Sequence, residues 1–162
     1  MNLEKLQFIE SYKASLEKML AEAIRAMNEA QEEANNHVGA MESRYDTFKE
    51  EAQYLASAHK VRISELQHCI KAINHIKRNP PLLHQVEVGC IVVITDEDEK
   101  SQFQYFILPG GDGSKHKLGE MDTFIVSPGS PIARQLLGKS LQDDITLNIN
   151  VFNLEGFILS IK

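Results

Sequence analysis

Apolar and small residues recur at Leu6, Ile9, Leu16, Leu20, Ala23, Met27, Ala30 and Ala34, a three-four spacing broken only by the polar Lys13. That repeat predicts a long amphipathic helix with a heptad seam. A second run, Ala52, Leu55, His59, Ile63, Leu66, Ile70 and Ile73, keeps the spacing apart from one four-four step, which locally alters a supercoil. Neither stripe can be buried by its own helix, so the two are expected to pair antiparallel across a short turn. Helices of roughly 30 to 33 residues would each be about 45 to 50 Å long. The turn falls within Asn35 to Ser43, where paired asparagines and Gly39 stop one helix. Ser43, with Asp46 three residues later, is a candidate cap for the next.

After Arg78 the pattern changes. Pro80-Pro81 ends the helix and stiffens a linker. Five β-branched or aromatic runs follow: Val86 to Ile94, Phe103 to Leu108, Thr123 to Val126, Ile145 to Phe152 and Phe157 to Ile161. Several alternate with period two, and turn residues such as Asp96 to Glu99 and Pro109 to Gly113 separate them. One short helix, Pro131 to Leu137, is expected, with Ser130 as its cap and Gly138 as its stop. The fold class is therefore α+β: a helical hairpin over residues 1–78, a linker over 79–84 and a small antiparallel β domain with one helix over 85–162.

Composition narrows the function classes. The 162 residues are 43% hydrophobic and 25% charged, which suits one or two globular domains. No run has the roughly 18 apolar residues of a membrane span, and the start Met1 to Lys5 has no basic stretch leading into an apolar one. A cytoplasmic protein is expected. Cys69 falls in a helical pattern and Cys90 in a strand pattern, so two buried free thiols are expected rather than a disulfide or metal pair. The net charge is −6; residues 81–162 hold 6 Lys/Arg against 11 Asp/Glu, and residues 1–80 hold 11 against 12. Duplex binding through phosphates uses a basic face, and none is visible. A role near nucleic acid would be reached through a protein that already holds it.

Other chemistry finds little support. Gly110 to Lys115 lacks the phosphate-loop spacing and opens no helix, so it reads as a loop. His68 and His75 share a helix face with His84 close in sequence, but no third metal ligand stands at binding spacing. Ser127 and Ser130 have no nucleophile elbow or triad around them. The remaining concentration is acidic: Glu29, Glu32, Glu33, Glu42, Asp46, Glu50 and Glu51 surround the hairpin turn, against Arg44 and Lys49. Such a run also suits a solvated face, with acids favoured near a helix start.

Ser130-Pro131-Ile132-Ala133-Arg134-Gln135-Leu136-Leu137-Gly138-Lys139 resembles the S-P-x-x-R-x-L-x-G-K signature of the bacterial GreA/GreB transcript-cleavage factors. Val88-Gly89, Tyr105 to Leu108 and the strand after Asp144 follow in family order. The resemblance implies a coiled-coil hairpin followed by an FKBP-like domain, in a factor that binds RNA polymerase at its secondary channel and modulates elongation. It implies an accessory factor rather than an enzyme, a monomer that contacts nucleic acid only through the polymerase complex. The acidic tip, near residues 35–47, would reach the polymerase active site. There a two-metal hydrolysis needs a second Mg²⁺, and Glu42 and Asp46, spaced i, i+4, are the candidate catalytic and metal-ligating carboxylates. Family tips read D-L-x-E-N-A-E-Y, whereas Tyr45 stands three residues after Glu42, and Ala40 to Thr47 is closer to a subgroup reading A-G-D-K-Y-E-T. RNA cleavage and channel occupancy without cleavage are thus both open. At Ser140 to Asp144 the family's Gly-Asp turn is replaced, and Gln142, less suited than Gly to positive φ, is expected to change the turn. An FKBP-like isomerase or chaperone with a coiled-coil arm is a rival, weakened by the absence of Trp and only 7% aromatics. A coiled-coil dimerisation module is another, and it predicts a dimer.

Overall fold

The computed structural model describes residues 3–36, 42–98, 100–149 and 152–162, with side chains described except at 33–36, 42–50, 52–53, 148–149 and 152. The chain forms helix α1 (Leu3–Asn36), helix α2 (Glu42–Arg78), strands β1 (Ile91–Asp96), β2 (Gln102–Ile107), β3 (Asp112–Leu118) and β4 (Met121–Val126), helix α3 (Pro131–Leu136), and strands β5 (Asp144–Ile149) and β6 (Phe152–Ile161). Two compact units result: residues 1–11 with 71–162, and residues 12–70.

Residues 12–70 are the two long helices. At 34 and 37 residues, α1 and α2 are about 51 and 55 Å long. Their seam is legible in burial: Leu16 and Leu66 are buried, while Leu20, Ala23, Met27, Ala30, His59, Ile63 and Ile70 are half-buried. One expected seam position is wrong. Leu55 is 51% exposed, and Ala56 is half-buried in its place. With Ala56 the spacing 56, 59, 63, 66, 70, 73 is an unbroken three-four repeat, so the four-four step disappears here. Surface ion pairs Lys13–Glu17, Lys18–Glu22 and Arg62–Glu65 sit at helical spacing on the exposed faces.

The other unit is a six-stranded sheet in the order β3-β4-β2-β1-β6-β5. All neighbours are antiparallel except β2 and β4, which run parallel from Gln104↔Thr123 to Ile107↔Val126. The sheet is antiparallel-dominated, as expected from sequence, with this one parallel pair as the exception. The cause is β3: residues 112–118, assigned to a loop at their start and to no strand, pair as an edge strand and carry the chain back to enter β4 beside β2. Exposed Lys115, His116 and Lys117 leave β3 without an apolar alternation, so its pattern carries no strand signal. Charged side chains on an edge strand also discourage pairing with other chains.

Central β1 is buried along nearly its whole length, which means both faces are covered. On one face, Val92, Ile94, Tyr105 and Ile107 join Ala133 and Leu136 of α3 with Ile145, Leu147 and Ile158. On the other, Phe8 from the first turns of α1 meets Phe106 at 5.6 Å between ring centroids, and Ile9, Ile73 and Ile76 are buried. Lys77 pairs with Glu10, joining the end of α2 to the start of α1 in antiparallel sense. Two glycines permit this packing. A Cβ on Gly89, whose φ is +96°, would lie 2.7 Å from Ile76 Cγ2, and a Cβ on Gly156 would lie 1.8 Å from the Thr95 carbonyl oxygen. Near the latter, β6 carries a bulge against Val93/Ile94 that leaves Leu159 exposed.

Candidate functional site

The acids named from sequence lie at the start of α2. Glu42 is its first residue and Asp46 stands one turn on, so the backbone sets the two positions on one face of the helix. Their side chains, and the turn 37–41, lie outside the described residues. Because α2 already begins at Glu42, Ser43 sits inside the helix instead of capping it. Glu29, Glu32 and Glu51 on the adjoining turns are exposed.

In the β domain, the decapeptide 130–139 divides its labour. Ser130 caps α3, its hydroxyl accepting from the Ala133 amide at 3.2 Å, and Pro131 takes the first helical position, where a missing N–H is harmless. Ala133 and Leu136 are buried in the core. Gly138, with φ +81°, donates to the Val86 carbonyl, and Lys139 O accepts from the Val86 amide, tying the helix exit to the strand-leading segment. Lys139 Nζ in turn donates to the Asp144 carbonyl at 2.8 Å. Arg134 has none of these tasks: it is exposed and forms no ion pair among the described residues. It is the motif residue whose identity the fold does not require.

The turn after the motif gives a second outcome. Gln142 has φ +65°, the one non-glycine in the left-handed region among the described residues, and its amide donates to Ile158 O at 2.9 Å. Gln142 thus takes a positive φ that strains it and would not strain a glycine.

Lys5 was not singled out by the sequence. It is only 5% exposed; its ammonium donates to the Lys162 carbonyl at 2.8 Å and lies 5.6 Å from the Phe106 ring centre. Burial pushes its pKa below the ordinary lysine value, with Cys90 opposing. The helix position carried the clue, since Lys5 is one turn before Ile9 on the buried face. A cleft of about 540 Å³ beside it is lined by residues including Pro80, Leu83, Gln104 and Ile161. Gln104 is held by Thr123 Oγ1 and the Leu118 carbonyl, so the wall is a satisfied structural network. The histidine and cysteine candidates are likewise accounted for. His68 contacts the Ser64 carbonyl, His75 contacts Asn79, and no group of three potential metal ligands occurs among the described residues. Both cysteines are free; Cys90 is buried as expected and Cys69 only half-buried, and burial raises both thiol pKa values.

Residues 81–162 match the model of the C-terminal domain of the transcription elongation factors GreA/GreB. The chain belongs to the GreA/GreB family. It is 28% identical over 120 residues to the transcription elongation factor GreA of Thermoanaerobacter pseudethanolicus, covering 74% of this chain and 70% of that one. To GreA of Maridesulfovibrio salexigens it is 28% identical over 158 residues, covering 91% and 84%. Among solved structures, the GreA factor homolog 1 (Gfh1) protein of Thermus thermophilus aligns over 96% of this chain and 93% of that one, at 14% identity and a TM-score of 0.41. In this Gre-family chain the matched segment holds the whole sheet and α3, while α1, α2 and all the acidic positions around the hairpin turn precede it. No helix among the described residues is long and apolar enough to cross a membrane.

Proposed function

We propose that this Gre-family protein binds RNA polymerase at the secondary channel, with the β domain docked at the channel mouth and the helical hairpin reaching inward to modulate elongation. Membership of the family implies association with RNA polymerase. The observation that carries the finer reading is the order of parts: the family's C-terminal domain follows two helices of 34 and 37 residues, far longer than the sheet needs for cover. Exposed Arg134, free of structural duties in the family signature, is the β-domain residue to which we assign a polymerase contact.

In the cleavage version, Glu42 and Asp46 present two carboxylates from consecutive turns of α2. Such oxygens are the hard donors Mg²⁺ takes, and a pair is too few to hold the ion alone, so polymerase carboxylates would complete its shell. The ion would supply an activated water for hydrolysis of backtracked RNA. The chemistry belongs to the polymerase centre, and this chain acts as an accessory factor. Tyr45, standing where the family tip has its second acid, favours a second reading in which the hairpin occupies the channel without cleaving.

Cleavage of RNA in a backtracked complex of the cognate polymerase with Mg²⁺ tests both, comparing wild type with Glu42→Ala/Asp46→Ala. Polymerase-dependent cleavage lost in the double variant supports the carboxylate role. Absence of cleavage with competition against a cleaving Gre factor supports the occupancy reading, and absence of both rejects the channel.

A further inference from the structure

Away from its seam, α2 leaves a second row of residues in water. Opposite the seam, at three-four spacing, stand Glu51, Tyr54, Ala58, Val61 and Glu65: an apolar run closed at each end by an acid. Tyr54 is 78% exposed and Val61 60%. A surface helix needs one apolar stripe, and α2 already buries one along Ala56, His59, Ile63 and Leu66. Tyr54, Ala58 and Val61 form a second, narrow apolar strip left in water, and an apolar strip rimmed by charge is the kind of surface a partner covers. Tyrosine is also the kind of side chain that anchors interfaces, combining area with little rotamer entropy to lose.

We propose that this face of α2 is a docking surface for the wall of the polymerase passage, and that the wall presents there an apolar patch bracketed by Lys or Arg. The inference rests on the channel reading above. Tyr54 and Val61 stand 12 and 19 residues from Glu42, about 18 and 28 Å along the helix axis. When the acids reach the active centre, this face therefore lies within the passage. Charge decides against a second copy of the chain as occupant. Pairing the face with itself antiparallel about Ala58 sets Glu51 against Glu65 of the other copy, and a parallel pairing sets each Glu against its equivalent, which is repulsive either way. Arg62, 3.5 Å from Glu65, meets one acid from the side, and Glu51 forms no ion pair among the described residues.

The test is equilibrium binding of the full chain to core RNA polymerase, for wild type, Tyr54→Ser/Val61→Ser and Tyr54→Phe, with thermal unfolding and sedimentation of each protein alone. Expected is a loss of about tenfold or more in affinity for the double variant. Tyr54→Phe should bind as wild type, and all three should melt together, because the changed groups are exposed. Wild-type binding unchanged by the double substitution overturns this inference and leaves the channel reading intact. No wild-type binding, and no competition with a Gre factor, overturns both. A wild-type dimer that becomes a monomer in the double variant also overturns it, in favour of self-association.

Discussion

The helices and the sheet handle apolar residues in opposite ways. In the β domain, Ile94, Phe106, Ile107, Leu136, Leu147 and Ile158 are fully buried, and strands β1 and β2 are covered on both faces. Among the described side chains of residues 12–70, only Leu16 and Leu66 of the large apolar ones are buried, while Met19, Ile24, Tyr54, Leu55 and Val61 are exposed. A sheet between two layers excludes water from both sides, whereas a pair of helices has a single seam. Stability is therefore concentrated in the sheet, and the hairpin has exposed surface to spare for a partner.

The largest expected effect breaks the sheet side of this contrast. Gly156→Ala places a methyl 1.8 Å from the Thr95 carbonyl, where backbone and not a flexible side chain must move. A loss of about 4 kcal/mol or more is expected, read as a collapse of the urea midpoint. Next in size is a pair inside the hairpin. Leu66→Ala should cost about 2 to 4 kcal/mol and Leu55→Ala less than about 0.5, since Leu66 is 2% exposed and Leu55 51%. Equal costs, measured by loss of helical circular dichroism on heating, would restore Leu55 to the seam.

Smaller changes act on turns. Ser130→Ala removes the cap of α3 and should destabilise the β domain by about 1 kcal/mol. By contrast, Gln142→Gly relieves a left-handed residue and should stabilise by about 0.5 to 1 kcal/mol, net of the freedom glycine adds to the unfolded chain. The smallest effect is one of pH. The Ser101 backbone amide, with help from Lys100, holds the Asp96 carboxyl below its ordinary value of 3.8. The folded state thus binds this proton less readily than the unfolded chain, so the contribution is present above about pH 4 and lost as pH falls through the folded value. Asp96→Asn should flatten that part of the acid limb of a stability-against-pH curve. An unchanged limb would assign acid sensitivity to Asp112 and Asp122, which are lowered by bonds from Ser114 and Lys115.

Much of the molecule was legible in the residues because repeated burial leaves a repeated pattern. The heptad positions of α1, the Pro80-Pro81 break, the runs that became β1, β2, β4, β5 and β6, and the Ser130 cap all follow from local periodicity or local hydrogen bonding. The spacing of Glu42 and Asp46 was equally readable, since both fall on α2 at i, i+4. Two features of local chemistry were not. Strand β3 has charged residues at an edge and no alternation to betray it. Lys5 is buried because Lys162, just past the end of β6, offers a carbonyl from far along the chain, a partner no local pattern names.

The Ala56 and Leu55 exchange states the division most plainly. Sequence by itself determined that α2 has a seam of period three-four, because any long helix in water must bury a stripe. It also determined the order of a hairpin before a β domain and the decapeptide that marks the family. Which of two adjacent apolar residues faces inward was decided only in the tertiary structure. There an unbroken helical repeat selects the smaller alanine for the seam, and the larger leucine is left half in water at its edge. The parallel β2–β4 pairing was decided in the same way, by where an edge strand could find hydrogen-bond partners.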